Sequence, residues 1–342
     1  MKKDNFVRKH ILPLVHQKAF TLVCFLLVLV ILFSVWSGIV GKKFFSTSTF
    51  INIFQSIVVT GFLCLGSACL LISGNVDLST STIGCFGGMV VAVCAKNGMP
   101  WYICILACFA LCAVFGFVNG ILVSKLRFPA FIATLGMTSV VKGLTYLFSA
   151  MGNDGVAANI NYNVPVLGWL GRGKILTIPV GVYFLILFFV IYGILITKTR
   201  FGMKLKLIGG NPLAANLAGL NSSRTMIVMF INAAVLSGVA GIFNGARLGQ
   251  GSLSALATNQ FTGMTAAILG GISFGGGIGG MGGAFLGLLI LNTFQVGMNV
   301  VGINPFWVSV FSGVLLLVAL AVDFLQMQGK GKTNKRASKE GK

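Results

Sequence analysis

Stretches of about twenty apolar residues, separated by short turns, decide what this 342-residue chain can become. Backbone in hydrocarbon has to satisfy its own N–H and C=O groups, so each stretch is forced into a helix of roughly 20 residues that crosses ~30 Å of lipid. Ten segments can be drawn, at 19–41, 50–72, 79–95, 101–123, 129–150, 176–197, 225–247, 262–274, 282–300 and 304–325. The eighth is too short to span alone and the third is marginal, which marks both as candidates for broken or partly inserted helices. The expected fold is an all-α membrane protein with about ten transmembrane helices. A flank at 1–18 precedes the membrane domain at 19–325, which contains a long loop at 198–224, and a basic tail follows at 326–342.

Composition supports this and charge orients it. Hydrophobic residues make up 56% of the chain and charged residues 9%, with a mean hydropathy of +0.96, which excludes an ordinary soluble domain. The net charge of +20 raises nucleic-acid binding, but the placement of the basic residues argues against it. With the N-terminus inside, eighteen Lys and Arg fall on the inner side: five in the N-terminal flank, Lys125 and Arg127, five from Lys198 to Arg224, and six in the tail. Six fall outside, namely Lys42, Lys43, Lys96, Arg172, Lys174 and Arg247. That bias is the positive-inside pattern. It predicts both termini in the cytoplasm, with the lipid bilayer as a partner. The opening MKKDNFVRKH resembles a signal peptide, yet Ala19–Gly41 is long enough to span and lacks a small-residue cleavage site, so a retained first helix is expected.

Catalytic and metal-binding patterns fail on inspection. The eight cysteines lie in apolar stretches without a CxxC pair, and Cys104, Cys108 and Cys112, though at helical spacing, have no His or carboxylate beside them. Gly277, Gly279 and Gly282 satisfy GxGxxG without any strand around them. Gly271–Gly275 satisfies GxSxG, but the only histidines, His10 and His16, sit in the N-terminal flank, so Ser273 has no base. Gly331-Lys332-Thr333 mimics the end of a phosphate-binding loop, with Gln326 where its first glycine belongs. No enzyme, cofactor or metal site is expected. The glycines read instead as helix-packing positions at small-xxx-small spacing: Gly84/Gly88, Gly116/Gly120, Gly241/Gly245/Gly249 and Gly279/Gly283. A helix break or re-entrant turn is the sharper reading around Gly275, Gly276, Gly277, Gly279 and Gly280.

Two ionisable positions and two loops remain. Asp77, beside Asn75 and ahead of Ser79–Thr82, reads either as a cap on the third helix or as a gating residue. Lys142 lies within the fifth segment, where a charge costs ~3 kcal/mol, and leaves snorkelling, pairing with a carbonyl, or facing an aqueous path as readings. The loop from Met151 to Ile175, with its Asn residues, Pro165 and Trp169, fits an exposed external connection. The cytoplasmic loop carries the most information. After Gly209 and Gly210, Asn211 is placed to cap a helix with Pro212 at its first position. Leu213, Leu217 and Leu220 then recur at helical spacing among Ala214, Ala215, Ala218 and Gly219, giving a narrow apolar ridge. It fits a groove on a cytoplasmic partner or, alternatively, the membrane surface.

This loop resembles the coupling-helix loop of ribose-type (simple-sugar) ABC importer permeases. SGNVDLSTSTIG (Ser73–Gly84), RFPAFIATLGM (Arg127–Met137), LSGVAGIFNGARLG (Leu236–Gly249) and TAAILGGISFGGGIGGMGGAFLG (Thr265–Gly287) are similar to that family's segments, in its order. Three positions depart from it: Gln260 and Thr262 stand where acidic residues are common, and Ile278 where a basic one is. The resemblance implies a type II importer-like bundle in the inner (cytoplasmic) membrane of a prokaryotic cell. The chain would be the permease subunit for a sugar or sugar-like solute, working with a cytoplasmic ABC ATPase, an extracytoplasmic solute-binding protein and a second permease copy or paralogue. It also implies that Asn211–Gly219 transmit ATPase motion, and that specificity rests largely with the binding protein, in keeping with a sequence that shows no dense polar pocket. The rival class, an ion-coupled secondary transporter of a small polar solute, needs intramembrane carboxylates, whereas Asp77 and Asp323 fall near predicted helix ends.

Overall fold

The structure is a computed structural model describing residues 18–340, so the flank at 1–18 lies almost wholly outside it. In chain order the helices are α1 (Lys18–Ile39), α2 (Thr47–Ile72), α3 (Thr80–Lys96), α4 (Trp101–Ser124) and α5 (Ala130–Met151). Then come α6 (Pro165–Arg172), α7 (Val180–Lys198), α8 (Arg200–Gly210), α9 (Pro212–Leu217) and α10 (Ser222–Leu248). The chain closes with α11 (Thr262–Leu269), α12 (Met281–Val301) and α13 (Pro305–Glu340). Two-residue strands β1 (Ile160–Asn161) and β4 (Gln250–Gly251) pair antiparallel, as do β2 (Lys174–Ile175) and β3 (Ile178–Pro179). Among the described residues, eight helices are long and apolar enough to cross a membrane; α3, with 17 residues, is the shorter apolar helix beside them.

α2 is the axis of the bundle. Its apolar stretch is 89% buried, against 11% for α1 and 0% for α13. Lipid tails are as apolar as leucine, so helices associate here through close packing rather than escape from water. Glycine supplies the closeness around α10. A Cβ on Gly241 would overlap Gly84 O of α3, and one on Gly116 of α4 would come within 2.6 Å of Phe230 O. Cys108 and Cys112 are buried in the hollow between Gly87 and Gly238, filling it as small side chains.

Differences from the expected segments have local causes. The eighth segment ends at Leu269 rather than near residue 274, because Gly270 closes against the backbone of Gly283 and Gly271 takes φ +87. The chain then runs without helix from 270 to 280 and returns as α12. Residues 151–175 are not an open loop: Tyr162 N–H donates to Gly249 O at 3.1 Å, and Leu167 of α6 is fully buried, while Trp169 stays 52% exposed. The last helix continues through the basic segment to Glu340.

Tertiary contacts define two ends. At one lie the 72–79 turn, Ser124 bonded to Ser223, the 199–223 loop, the 270–280 segment and Asp323. At the other lie Lys96 bonded to Gly152 O, the β1–β4 pair, and Lys42 close to Gly302.

Candidate functional site

The 198–224 loop is built by successive caps. Thr199 accepts from Gly202 N–H to start α8. Asn211, in extended backbone, ends α8 and begins α9, its Oδ1 accepting from Ala214 N–H at 3.0 Å with Pro212 in the first turn. Gly219, at φ +80, closes α9: its N–H donates to Asn216 O and Leu220 N–H donates to Ala215 O, both at 3.0 Å. That closure stops the helix at Leu217 and leaves Leu220 beyond it, half-buried beside Ala215. The apolar ridge is therefore shorter than three leucines. Leu213 and Leu217 are 77% and 91% exposed, with Pro212, Ala214 and Ala218 also exposed and Ala215 alone turned inward.

The base of this loop is held by bare backbone. A Cβ on Gly209 would overlap Ile72 O at the end of α2, and one on Gly276 would come within 2.6 Å of Gly209 O and 2.8 Å of the Gly74 Cα. Gly277 N–H donates to Ile72 O at 2.9 Å, and its own position is packed against Gly210. Three segments distant in sequence, 72–74, 209–210 and 276–277, thus meet without intervening side chains. Gly276, Gly277 and Gly279 take φ of +83, +73 and +130, backbone that glycine adopts readily. Asp323 of α13 fastens the same non-helical segment, its Oδ2 accepting from Ser273 Oγ at 3.1 Å and Phe274 N–H at 2.9 Å. Gly275 and Gly280 lie in that segment as well.

Asp77 and Asn75 sit beside this junction in the turn between α2 and α3. Ser79, not Asp77, is the residue that opens α3; Asp77 Oδ1 accepts from Ser79 N–H at 2.7 Å and from Ser79 Oγ at 2.5 Å. Asn119 of α4 donates to Ser79 Oγ at 3.0 Å and to Asp77 Oδ2 at 3.5 Å, while its own buried Oδ1 has no partner. Burial pushes the Asp77 carboxyl above its usual range, against the hydrogen bonds from Ser79 and Asn119. Asn75 turns back on Ser73. Thr134 and Thr138 of α5 clamp the Leu78 backbone from the other side. Lys142 stands apart from this network. It is exposed midway along α5, on the side that also carries Gly136, Ser139, Gly143 and Tyr146 at helical spacing, and a Cβ on either glycine meets nothing within 4 Å.

Sequence reasoning missed Asp323, set aside as a residue near a helix end, and the glycine junction, whose three segments lie more than sixty residues apart in the chain. The signal available was the concentration of glycine at 74, 209–210 and 275–280.

A bundle of membrane-length helices around one buried axis, with a short capped helix projecting at one end, defines the class: a polytopic membrane protein. Residues 49–320 match the family described as branched-chain amino acid transport system, permease component. The ribose import permease protein of Bacillus subtilis is 31% identical over 298 residues, covering 87% of this chain and 90% of the relative. The L-arabinose transport system permease protein of Escherichia coli is 31% identical over 286 residues, 83% of this chain and 85% of the relative. The fructose import permease protein of Rhizobium meliloti is 29% identical over 303 residues, 87% and 84% of the two chains. No solved structure matches the chain. The chain belongs to the permease family of ABC importers, among its sugar permeases.

Proposed function

We propose that this chain forms the translocation path of an ATP-driven importer for a sugar or sugar-like solute, pairs with a second permease, and receives solute from an extracytoplasmic binding protein. The end bearing α8 and α9 faces the cytoplasm of a prokaryotic cell, where a separate ABC ATPase docks on Leu213 and Leu217. Both termini lie on that side, and α3 and α11 complete ten membrane segments with the eight long helices. The observation that carries this reading is the exposed leucine pair on a rigidly capped helix whose base is wedged into backbone contact with α2 and the 270–280 segment.

The mechanism follows from what each contact can transmit. ATP-driven closure of the ATPase pair displaces α9. Caps at Asn211 and Gly219 keep α9 from absorbing the motion by bending. Gly209 and Gly210 pass it to the ends of α2 and the 276–277 turn, where no flexible side chain stands between the backbones. Asp323 carries it onward to α13, the helix with the least burial and so the least resistance to movement. The exposed stripe of Gly136, Ser139, Lys142, Gly143 and Tyr146 is the part of α5 suited to face the second permease and the path between them. A lysine there is far less costly against water than against hydrocarbon.

Leu217→Glu tests the docking. In detergent-purified importer it is expected to lose the ATPase subunit while the permease remains folded and monodisperse. Retention of the ATPase with undiminished uptake would overturn the reading.

A further inference from the structure

At the α9 end of the bundle, α1 packs on α12 while α13 packs on α11 and α12, leaving a groove of about 420 Å³ between the two outer helices. The chain at 268–271, where α11 ends, lies at its back; Phe25 of α1 and Val318 and Val322 of α13 line its sides. Among the described residues, Thr21 and Asp323 carry the only polar side chains in the lining. Both stand at one end of it, Thr21 in the first turn of α1 and Asp323 in the last turn of the apolar run that closes at Leu325. We propose that this groove is a lipid site: it takes an acyl chain of a phospholipid from the leaflet on the α9 side, and Asp323 selects an ammonium headgroup, the chemistry of phosphatidylethanolamine.

Position and charge together favour this occupant. The helices on either side are the least buried of the spans, 11% for α1 and 0% for α13, so the groove lies on the surface that meets hydrocarbon. A second permease is proposed at α5, which packs on α3 and α4 and lies across the axis α2 from α1 and α13. The groove's length suits a chain rather than a compact solute: its α13 side runs from Leu315 to Asp323, about 12 Å at 1.5 Å per residue. Hydrocarbon alone would leave the carboxylate at its end without a counter-charge. Among the described residues the partners of Asp323 are both neutral, Ser273 Oγ and Phe274 N–H, and both donate to Oδ2. Those bonds hold the 270–280 segment but do not cancel the charge. An ammonium beside it does, through a charge-assisted hydrogen bond, whereas a phosphatidylglycerol headgroup brings a second negative charge. The basic tail draws anionic lipid to the leaflet as a whole, but it begins at Lys330, about 10 Å of helix beyond Asp323. A lipid seated in the groove also packs against α13, the helix that Asp323 ties to the glycine junction, and so braces the element proposed to move.

Photo-crosslinking in the full-length protein, assembled with its partner subunits and reconstituted in vesicles of equimolar phosphatidylethanolamine and phosphatidylglycerol, tests this. Benzoylphenylalanine replaces Phe25, which lines the groove, or Leu27, exposed on the same helix outside it, and the lipid adducts are identified by mass. At Leu27 the adducts should follow the composition of the vesicle. At Phe25 the phosphatidylethanolamine adduct should exceed the phosphatidylglycerol adduct by about fivefold, the scale of one partly exposed ion pair. Asp323→Asn keeps an acceptor oxygen for Ser273 and Phe274 but removes the charge, and should return Phe25 to the vesicle ratio. Equal ratios at Phe25 and Leu27, an excess of phosphatidylglycerol at Phe25, or a Phe25 crosslink to a second permease instead of lipid would each overturn the proposal. So would an undiminished preference in Asp323→Asn; if that variant does not fold, the comparison of Phe25 with Leu27 still decides. Failure of the ATPase-docking test at Leu217 would remove the importer reading and leave this adduct pattern standing, so the two failures are distinguishable.

Discussion

The two ends of the bundle are built from opposite materials. At the α8–α9 end, the contact between segments is glycine backbone against glycine backbone, with Gly74, Gly209 and Gly276 near van der Waals limits or closer to one another's chains than any side chain allows. At the far end α2, α11, α12 and α13 leave a cleft of about 380 Å³ between them, lined by hydroxyl and amide side chains among apolar ones. Direct backbone contact transmits displacement because nothing compliant lies between the segments. Polar side chains around a cavity instead admit a range of separations. The difference is one between a stiff end and a compliant one, and each can be perturbed separately.

The largest effect is expected at Gly209. Gly209→Ala places a methyl on Ile72 O, a backbone atom that cannot swing aside, so a loss of about 3 kcal/mol and collapse of uptake are expected, read by thermal unfolding of the purified protein and by transport. Its neighbour sharpens the point, because Gly210→Ala meets nothing within 4 Å and should unfold near the wild-type temperature. Asp323→Ala comes next. Losing an acceptor that serves Ser273 Oγ and Phe274 N–H should cost about 2 kcal/mol and lower uptake more than it lowers ATP hydrolysis, since α13 is released while α9 keeps its contacts. The smallest effect is at Asp77. Its folded-state pKa is raised by burial, so its contribution favours the fold at low pH and is lost as pH rises through that raised value. Unfolding temperature should therefore fall with rising pH across that range in the wild type, and Asp77→Asn should flatten the dependence.

Legibility in the sequence followed the same division. Helical spans, the Asn211–Pro212 start of α9 and the Gly275–Gly280 interruption were readable, because each is a local pattern with a local cause. The meeting of Gly74, Gly209 and Gly277 was not, since each glycine is unremarked alone and acquires its constraint only from chain folded around it. The cleft hid for a similar reason. Ser56, Gln295 and Ser312 are single polar residues in apolar helices, and only the packing of α2, α12 and α13 turns them toward one space. Asp323 sits a turn from the end of the apolar run, where a carboxylate looks merely solvated; its partners are fifty residues away in a loop that has no helical period. β1 and β4, two residues each, are too short to leave a strand pattern.

Transport energetics in proteoliposomes containing the complete importer test the central claim most directly. Sugar accumulation should require ATP in the compartment facing α9 and persist when an ionophore collapses the ion gradients. Accumulation that survives without ATP and stops with the ionophore would contradict the account and place the chain among ion-coupled transporters.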